Sequence, residues 1–242
     1  MLQQYLSYFE TAEINSTFYA LPKPNFIKHL GSIDRSKFFT AKLPKKVTHD
    51  HKLDLSGEGG HVLDQFYDLL APIKERIPVL LIQLPPWKLS AMSDLETFLS
   101  SLKPPFRYAI EFRDESWLIS SVWSLLEKYK IAHCIVDEPK LPVDLRITTD
   151  FSYIRWHGHG GKLWYNYRYS LEELEQWKPK VQQVLESVET VYGYFNNHFA
   201  GNAPLNALQM LSLLSSINRK QERKLEKMLE RDKFSQTSLD DF

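Results

Sequence analysis

The chain has 242 residues, of which 43% are hydrophobic and 25% charged, the make-up of an ordinary globular protein with room for one α/β barrel or two small domains. Its 30 basic and 30 acidic residues cancel, so no global field draws it to nucleic acid or an anionic membrane. No apolar run approaches the ~20 residues that span a bilayer, and polar residues interrupt any secretory leader, so no membrane role and a cytoplasmic location are expected.

In chain order, Leu2, Tyr5, Leu6 and Phe9 lie on one helical stripe, and residues 1–10 read as the end of a helix. Residues 13–19 (EINSTFY) are rich in β-formers and read as the first strand, stopped by Pro22 and Pro24 before a short helix over 25–30. The second strand is 37–43 (KFFTAKL); a long loop follows Pro44, then an amphipathic helix over 61–74. Residues 78–84 (PVLLIQL) form a continuous apolar run, as in strands buried on both faces of a parallel sheet. Beyond Pro85-Pro86-Trp87, Ser93 is expected to cap a helix over 93–102, with Glu96 at the capping-box position. Strand 107–113 leads to a helix over 120–129, and 131–137 (IAHCIVD) is the next strand. The single cysteine, Cys134, lies within it; it excludes an internal disulfide and reads as a buried, inert thiol.

Residues 138–149 read as irregular, and 151–157 (FSYIRWH) as a strand before the loop GHGGKLWYNYRY. Ser170 and Glu173 form a capping box for a helix over 171–188, which Pro179 is expected to kink or divide. Residues 190–196 (TVYGYFN) are the last strand and 203–217 the last core helix. The barrel domain therefore covers 1–217. Residues 218–242 form an extension: a charged helix over 218–232 with the stripe Leu225, Met228 and Leu229, then a frayed end from 235. The extension reads as solvated, with a partner-docking helix as the alternative.

Strands alternating with helices predict a parallel α/β sheet. Polar residues after each strand, and the lack of a glycine-rich fingerprint, favour a (β/α)8 TIM-barrel-like fold over an open sheet. Catalytic groups of such barrels gather at the carboxyl ends of the strands. In RYAIEFRDESW (107–117), alternation puts Ala109, Glu111 and Arg113 on one face and Ile110 and Phe112 on the other. Charges on a buried face need partners. Corresponding strand ends nominate Glu13 and Asn15, Lys42, Gln83, Asp137, Arg155 with His157, and Asn196, followed by Asn197 and His198 in the last loop.

The ordered segments AEINSTFYALP, FFTAKLPKKVTHD, LLIQLPPW, AIEFRDESW, IVDEP, YIRWHG and VYGYFNNHFAGNAPLNA resemble the motifs of the domain-of-unknown-function 72 (YecE-like) family, over about residues 2–214. The resemblance implies a TIM-barrel-like fold and no settled activity. It also implies an additional strand and a Gly-Trp loop ahead of the helix matching residues 2–10. A barrel of seven strands, lacking the first, is therefore expected, with strands 13–19 and 190–196 facing each other across a gap.

Two carboxylates in a partly dry site have their pKa values pushed apart, which makes Glu13 and Glu111 the candidate acid and base. His157 is the proton-transfer candidate and Asp137 a further catalytic carboxylate. Lys42, Arg113 and Arg155 suit a phosphate or carboxylate, Asn15, Gln83 and Asn196 would orient it, and Trp117 would bind substrate. Trp87, Trp156 and Trp164 offer further sugar-stacking faces. An ion-pair plug is the structural alternative for Lys42, Glu111 and Arg155. His49, His51, His157 and His159 with the carboxylates leave a divalent metal open, but no spacing marks a site, so no metal ligand is assigned and the cofactor is unknown.

The leading expectation is an enzyme that hydrolyses or lyses a small polar anionic compound, phosphorylated or sugar-like. One alternative is a metal-dependent nuclease-like barrel, contacting nucleic acid through Lys45, Lys46 and the loop 164–169. Another is a non-catalytic metabolite-binding or scaffold protein. The oligomeric state stays open.

Overall fold

In the computed structural model, which describes residues 2–161, 163 and 165–240, seven apolar runs form one parallel sheet. The strands are β1 (Thr11–Ile14), β2 (Phe38–Lys42), β3 (Val79–Gln83), β4 (Arg107–Glu111), β5 (Ala132–Asp137), β6 (Phe151–Trp156) and β7 (Thr190–Phe195). Each pairs with the next in sequence, and the sheet curls into a nearly closed TIM-barrel-like barrel. Around it run α1 (Leu2–Leu6), α2 (Ser16–Tyr19), α3 (Pro24–Ser32), α4 (Glu58–Leu70), α5 (Leu95–Ser100), α6 (Ser120–Tyr129), α7 (Leu171–Ser187), α8 (Asn202–Leu213) and α9 (Arg219–Asp240).

Strand parity sorts the apolar residues into two layers. Val79, Leu81, Ala109, Ala132, Cys134 and Tyr153 belong to the inward cluster. Leu80, Ile82, Ile110 and Phe112 pack outward with Phe66 and Leu126 of the helices. The inward layer combines the small Ala109 and Ala132 with the large Tyr153, and the Arg155 side chain is fully buried as well. Cys134 is buried as expected, and burial pushes its thiol pKa up.

Several boundaries differ from the sequence reading. The first strand ends at Ile14, because the Thr17 hydroxyl lies 3.0 Å from the Ile14 carbonyl and 2.8 Å from that of Lys42, holding STFY as a helical turn. The cap of α5 is Asp94 rather than Ser93, its carboxylate accepting from the Thr97 backbone N–H at 2.9 Å. Residues 46–50, expected as loop, form a π-helical turn. The Ser170–Glu173 capping box is present, and α7 runs through Pro179 without being divided. The extension is not simply solvated: buried Gln221 donates through Nε2 to the Tyr8 carbonyl at 2.7 Å, tying α9 to the barrel. The helix also continues to Asp240, where fraying was expected; residues 241 and 242 lie outside the described residues. Among the described residues no helix is long and apolar enough to cross a membrane.

Among the described residues β1 and β7 share no strand pairing, as the expected gap requires. Side chains join them instead: Thr11 Oγ1 and the Tyr194 hydroxyl lie 2.8 Å apart. Above them a groove of about 600 Å³ opens, lined among others by Tyr5, Phe9, Phe38 and Tyr192. A hydrogen bond of this kind contributes about 1 kcal/mol net. Tyr194→Phe is therefore expected to lower the unfolding free energy by about 1 kcal/mol in urea titration, with near-native circular dichroism.

Candidate active site

Arg155 projects from β6 into the barrel with its side chain fully buried. Its Nη1 donates to Glu111 Oε2 on β4 at 2.5 Å, and its Nη2 to Glu13 Oε1 on β1 at 2.7 Å. The Tyr153 hydroxyl, two residues back on the same face, donates to Glu13 Oε2 at 2.6 Å and lies 2.9 Å from Thr40 Oγ1. The other Glu111 oxygen accepts from Arg113 Nε at 2.6 Å, and Arg113 Nη1 donates to Glu138 Oε2 at 2.5 Å. The result is one row of alternating groups, Glu13–Arg155–Glu111–Arg113–Glu138, laid across the carboxyl end of the barrel.

The row divides its carboxyl groups by environment. Burial opposes ionisation of Glu111, but the Arg113 and Arg155 guanidiniums override it and hold the group well below the usual carboxylate range. Burial opposes ionisation of Glu13 too, yet Arg155, Lys42 and the Tyr153 hydroxyl hold it down. Glu138 goes the other way: burial raises its pKa, and Arg113, shared with Glu111, does not bring it back. Its Oε1 is buried and has no hydrogen-bond partner among the described residues.

His157 lies beside the same guanidinium, with Nε2 3.1 Å from Arg113 Nη2 and 3.5 Å from Glu111 Oε1. Burial lowers its pKa to about 4 against the pull of Glu111, so the ring is neutral at neutral pH. On the other side of the ring, His157 Nδ1 lies 3.1 Å from the Asn196 amide nitrogen, which can donate to it. Lys42, last in β2, donates from Nζ to Gln83 Oε1 at 2.7 Å. Burial, then the Arg155 charge, lower its pKa to about 8.

Glu13, Lys42, Gln83, Glu111, Arg113, Arg155, His157 and Asn196 therefore meet in one cup. Asp137 does not. It lies on the outward face, accepting from Trp177 Nε1 at 3.1 Å, with His159 Nε2 2.9 Å away. Because Cys134 belongs to the inward cluster and Val136 with it, the inward group at the end of β5 is Glu138, which the sequence reading missed. Parity carried one residue past IVD would have found it.

Asn15 is exposed at the start of α2, since β1 stops before it. Trp117 is fully buried against Phe112, ring centroids 5.2 Å apart, and its Nε1 donates to the Trp87 carbonyl; it packs between sheet and helices, away from the cup. Trp156 stacks on Phe195 in the outward layer, and Trp164 lies outside the described residues. The histidine pairs separate: His51 lies 3.4 Å from Glu58, while Gly158, with φ 88°, turns the chain between His157 and His159. Among the described residues no three His, Cys, Asp or Glu side chains form a group that could hold a metal ion.

A profile of the family described as "Protein of unknown function DUF72" matches residues 1–230. The chain belongs to the DUF72 family. It is 28% identical to the UPF0759 protein YunF of Bacillus subtilis, over 88% of this chain and 86% of that protein. It is 32% identical to the UPF0759 protein YecE of Escherichia coli over 46% of this chain and 41% of that one. A DUF72 family protein of Thermotoga maritima superimposes with a TM-score of 0.76 at 31% identity, covering 88% of each chain. One from Enterococcus faecalis gives 0.77 at 21% identity, covering 89% of this chain and 93% of that one, a likeness of fold. The DUF72 barrel is thus established, and with it no substrate.

The cup dictates an acid response. The unfolded chain takes up a proton at His157 near pH 6.5, whereas the folded chain resists until about 4, so stability falls as pH drops between these values. The depressed carboxyls of Glu13 and Glu111 add to the loss below their ordinary value of 4.5. Unfolding free energies measured from pH 7 to 4 are expected to fall, and His157→Gln to reduce the slope near pH 5 by about one proton. An unchanged slope contradicts the burial of a neutral His157.

Proposed function

We propose that the cup is an active site performing acid–base chemistry, hydrolysis or lysis, on a small anionic substrate that is phosphorylated or sugar-like. The observation that supports this reading is the division of the two carboxyl groups on either side of Arg113. Glu111 is held as a carboxylate, and Glu138 is pushed toward its neutral, proton-donating form with an unpartnered oxygen. Paired groups driven apart in this way can supply and withdraw protons at the same pH. Glu138 thereby replaces Glu13, which Arg155 occupies, as the partner of Glu111 in the acid–base pair, and neutral His157 stands by as a proton carrier.

The cations gathered at the cup, Lys42, Arg113 and Arg155, are the groups that suit an anionic substrate. The single, buried Cys134 accords with a reducing, cytoplasmic setting.

Glutamine separates the chemical role from the structural one. Glu111→Gln leaves two guanidiniums undercompensated and is expected to cost about 3–5 kcal/mol of stability in chemical denaturation. Glu138→Gln mimics the neutral acid in shape, so its denaturation midpoint should stay near wild type. The purified protein is to be screened against phosphoesters and glycosides with and without divalent metals. For the substrate found, Glu138→Gln is expected to lower kcat by about 10²–10⁴-fold. Equal rates for wild type and variant would remove Glu138 from the reaction.

A further inference from the structure

Among buried charged groups of the cup, Lys42 stands apart in how it is held. The residue is 7% exposed, and among the described residues its ammonium makes no ion pair. The neutral Gln83 oxygen accepts from Nζ at 2.7 Å, and the Phe18 ring lies 5.7 Å away. Its main chain is fixed by Thr17, whose Oγ1 accepts from the Lys42 N–H at 3.2 Å and lies 2.8 Å from the Lys42 carbonyl. Two exposed lysines show the contrast: Lys46 and Lys128 rest on Glu58 and Glu96, which stabilise the charged form. The nearby carboxylates, Glu13 and Glu111, are engaged by Arg155 and Arg113 instead.

We propose that Lys42 is an imine-forming nucleophile and that the substrate of the cup is a small carbonyl compound carrying an anionic group. The inference rests on the acid–base reading of the same cup and names its substrate class. A desolvated amine beside other cations loses its proton more readily than a solvated one, which is how lysines become reactive toward carbonyls; the fall of its pKa to about 8 accords with this.

In the step, the nitrogen lone pair forms a C–N bond and the carbonyl π pair moves to oxygen. Loss of two protons from nitrogen to that oxygen, through the acid and base of the cup, then releases it as water. The carbonyl compound and the amine become imine and water, with no oxidant or reductant needed. Arg113, the guanidinium of the cup that keeps some exposure, holds the anionic group of the substrate.

The test is reductive trapping on the whole chain at neutral pH. The protein is incubated with cyanoborohydride and either pyruvate or dihydroxyacetone phosphate, with acetone as the uncharged comparison, and adducts are located by peptide mass mapping. With at least one anionic probe, Lys42 is expected to be modified at least about tenfold faster than any other lysine, and acetone to show no such preference. Labelling spread over surface lysines, or none at Lys42, overturns the proposal, and this readout needs no variant. For a carbonyl substrate found by extending the screen to these compounds, Lys42→Arg, checked for folding by circular dichroism, is expected to abolish turnover. If Lys42→Arg turns over normally while Glu138→Gln does not, the imine proposal falls and the acid–base reading stands. If Lys42 is trapped but Glu138→Gln is fully active, the acid–base assignment falls instead.

Discussion

A guanidinium buried in the barrel and held by two carboxylates is the constraint on which the rest of this structure depends. Arg155 on β6 reaches Glu13 on β1 and Glu111 on β4. Taking these charges from water is costly, and only near-complete pairing offsets it. Removing any one member strands the others. The pairing also has a mechanical effect. Among the described residues β1 and β7 do not pair, so backbone hydrogen bonds do not complete the ring. Arg155 and Tyr153, both bound to Glu13, tie the sixth strand to the first across the interior.

That arrangement requires room. A barrel interior filled throughout with branched apolar side chains would leave no path for an arginine. Here Ala109 and Ala132 line part of the interior, and the tyrosine and arginine of β6 are buried as well. Ala109, Ala132 and Tyr153 share one buried inward cluster, so a larger residue at either alanine has to be accommodated within it. The small residues and the charged row thus belong to one packing solution, in which the cup forms only when the interior beneath it is correct.

Much of this was legible in the chain because a period of two is strict along a strand. Glu111 and Arg113 follow Ala109, Arg155 and His157 follow Tyr153, and Lys42 follows Thr40; all are found on the inward side. The reading failed where regular strand ended or its phase was not carried through. Asn15 was counted as strand, but the Thr17 hydroxyl turns the chain into a helix just beyond Ile14. Asp137 was chosen as the last residue of an apolar run, although the phase set by Cys134 makes Glu138 the inward group. Trp117 drew notice as an aromatic residue near a strand end; its partner Phe112 is outward, and the indole went with it. The separation of Glu111 from Glu138 by protonation had no counterpart in sequence, because it arises from a guanidinium shared between two carboxyl groups of unequal surroundings.

The alternating row also separates support from reactivity. A group in its interior has a charged neighbour on each side; Arg155 and Glu111 are each held twice. Such groups are fixed in charge as well as position, because changing either would expose two partners at once. Freedom to gain or lose a proton exists only where the alternation stops. Glu138 ends the row with one oxygen bound and one unpartnered, and Lys42, outside the row, rests on a neutral amide. A purely structural plug has no need of incomplete ends, since burying a half-satisfied acid and an unpaired amine costs stability. The doubly held middle, in which only Arg155 Nε lacks a partner among the described residues, holds the barrel in shape, and the chemistry is assigned to the ends that it holds in place.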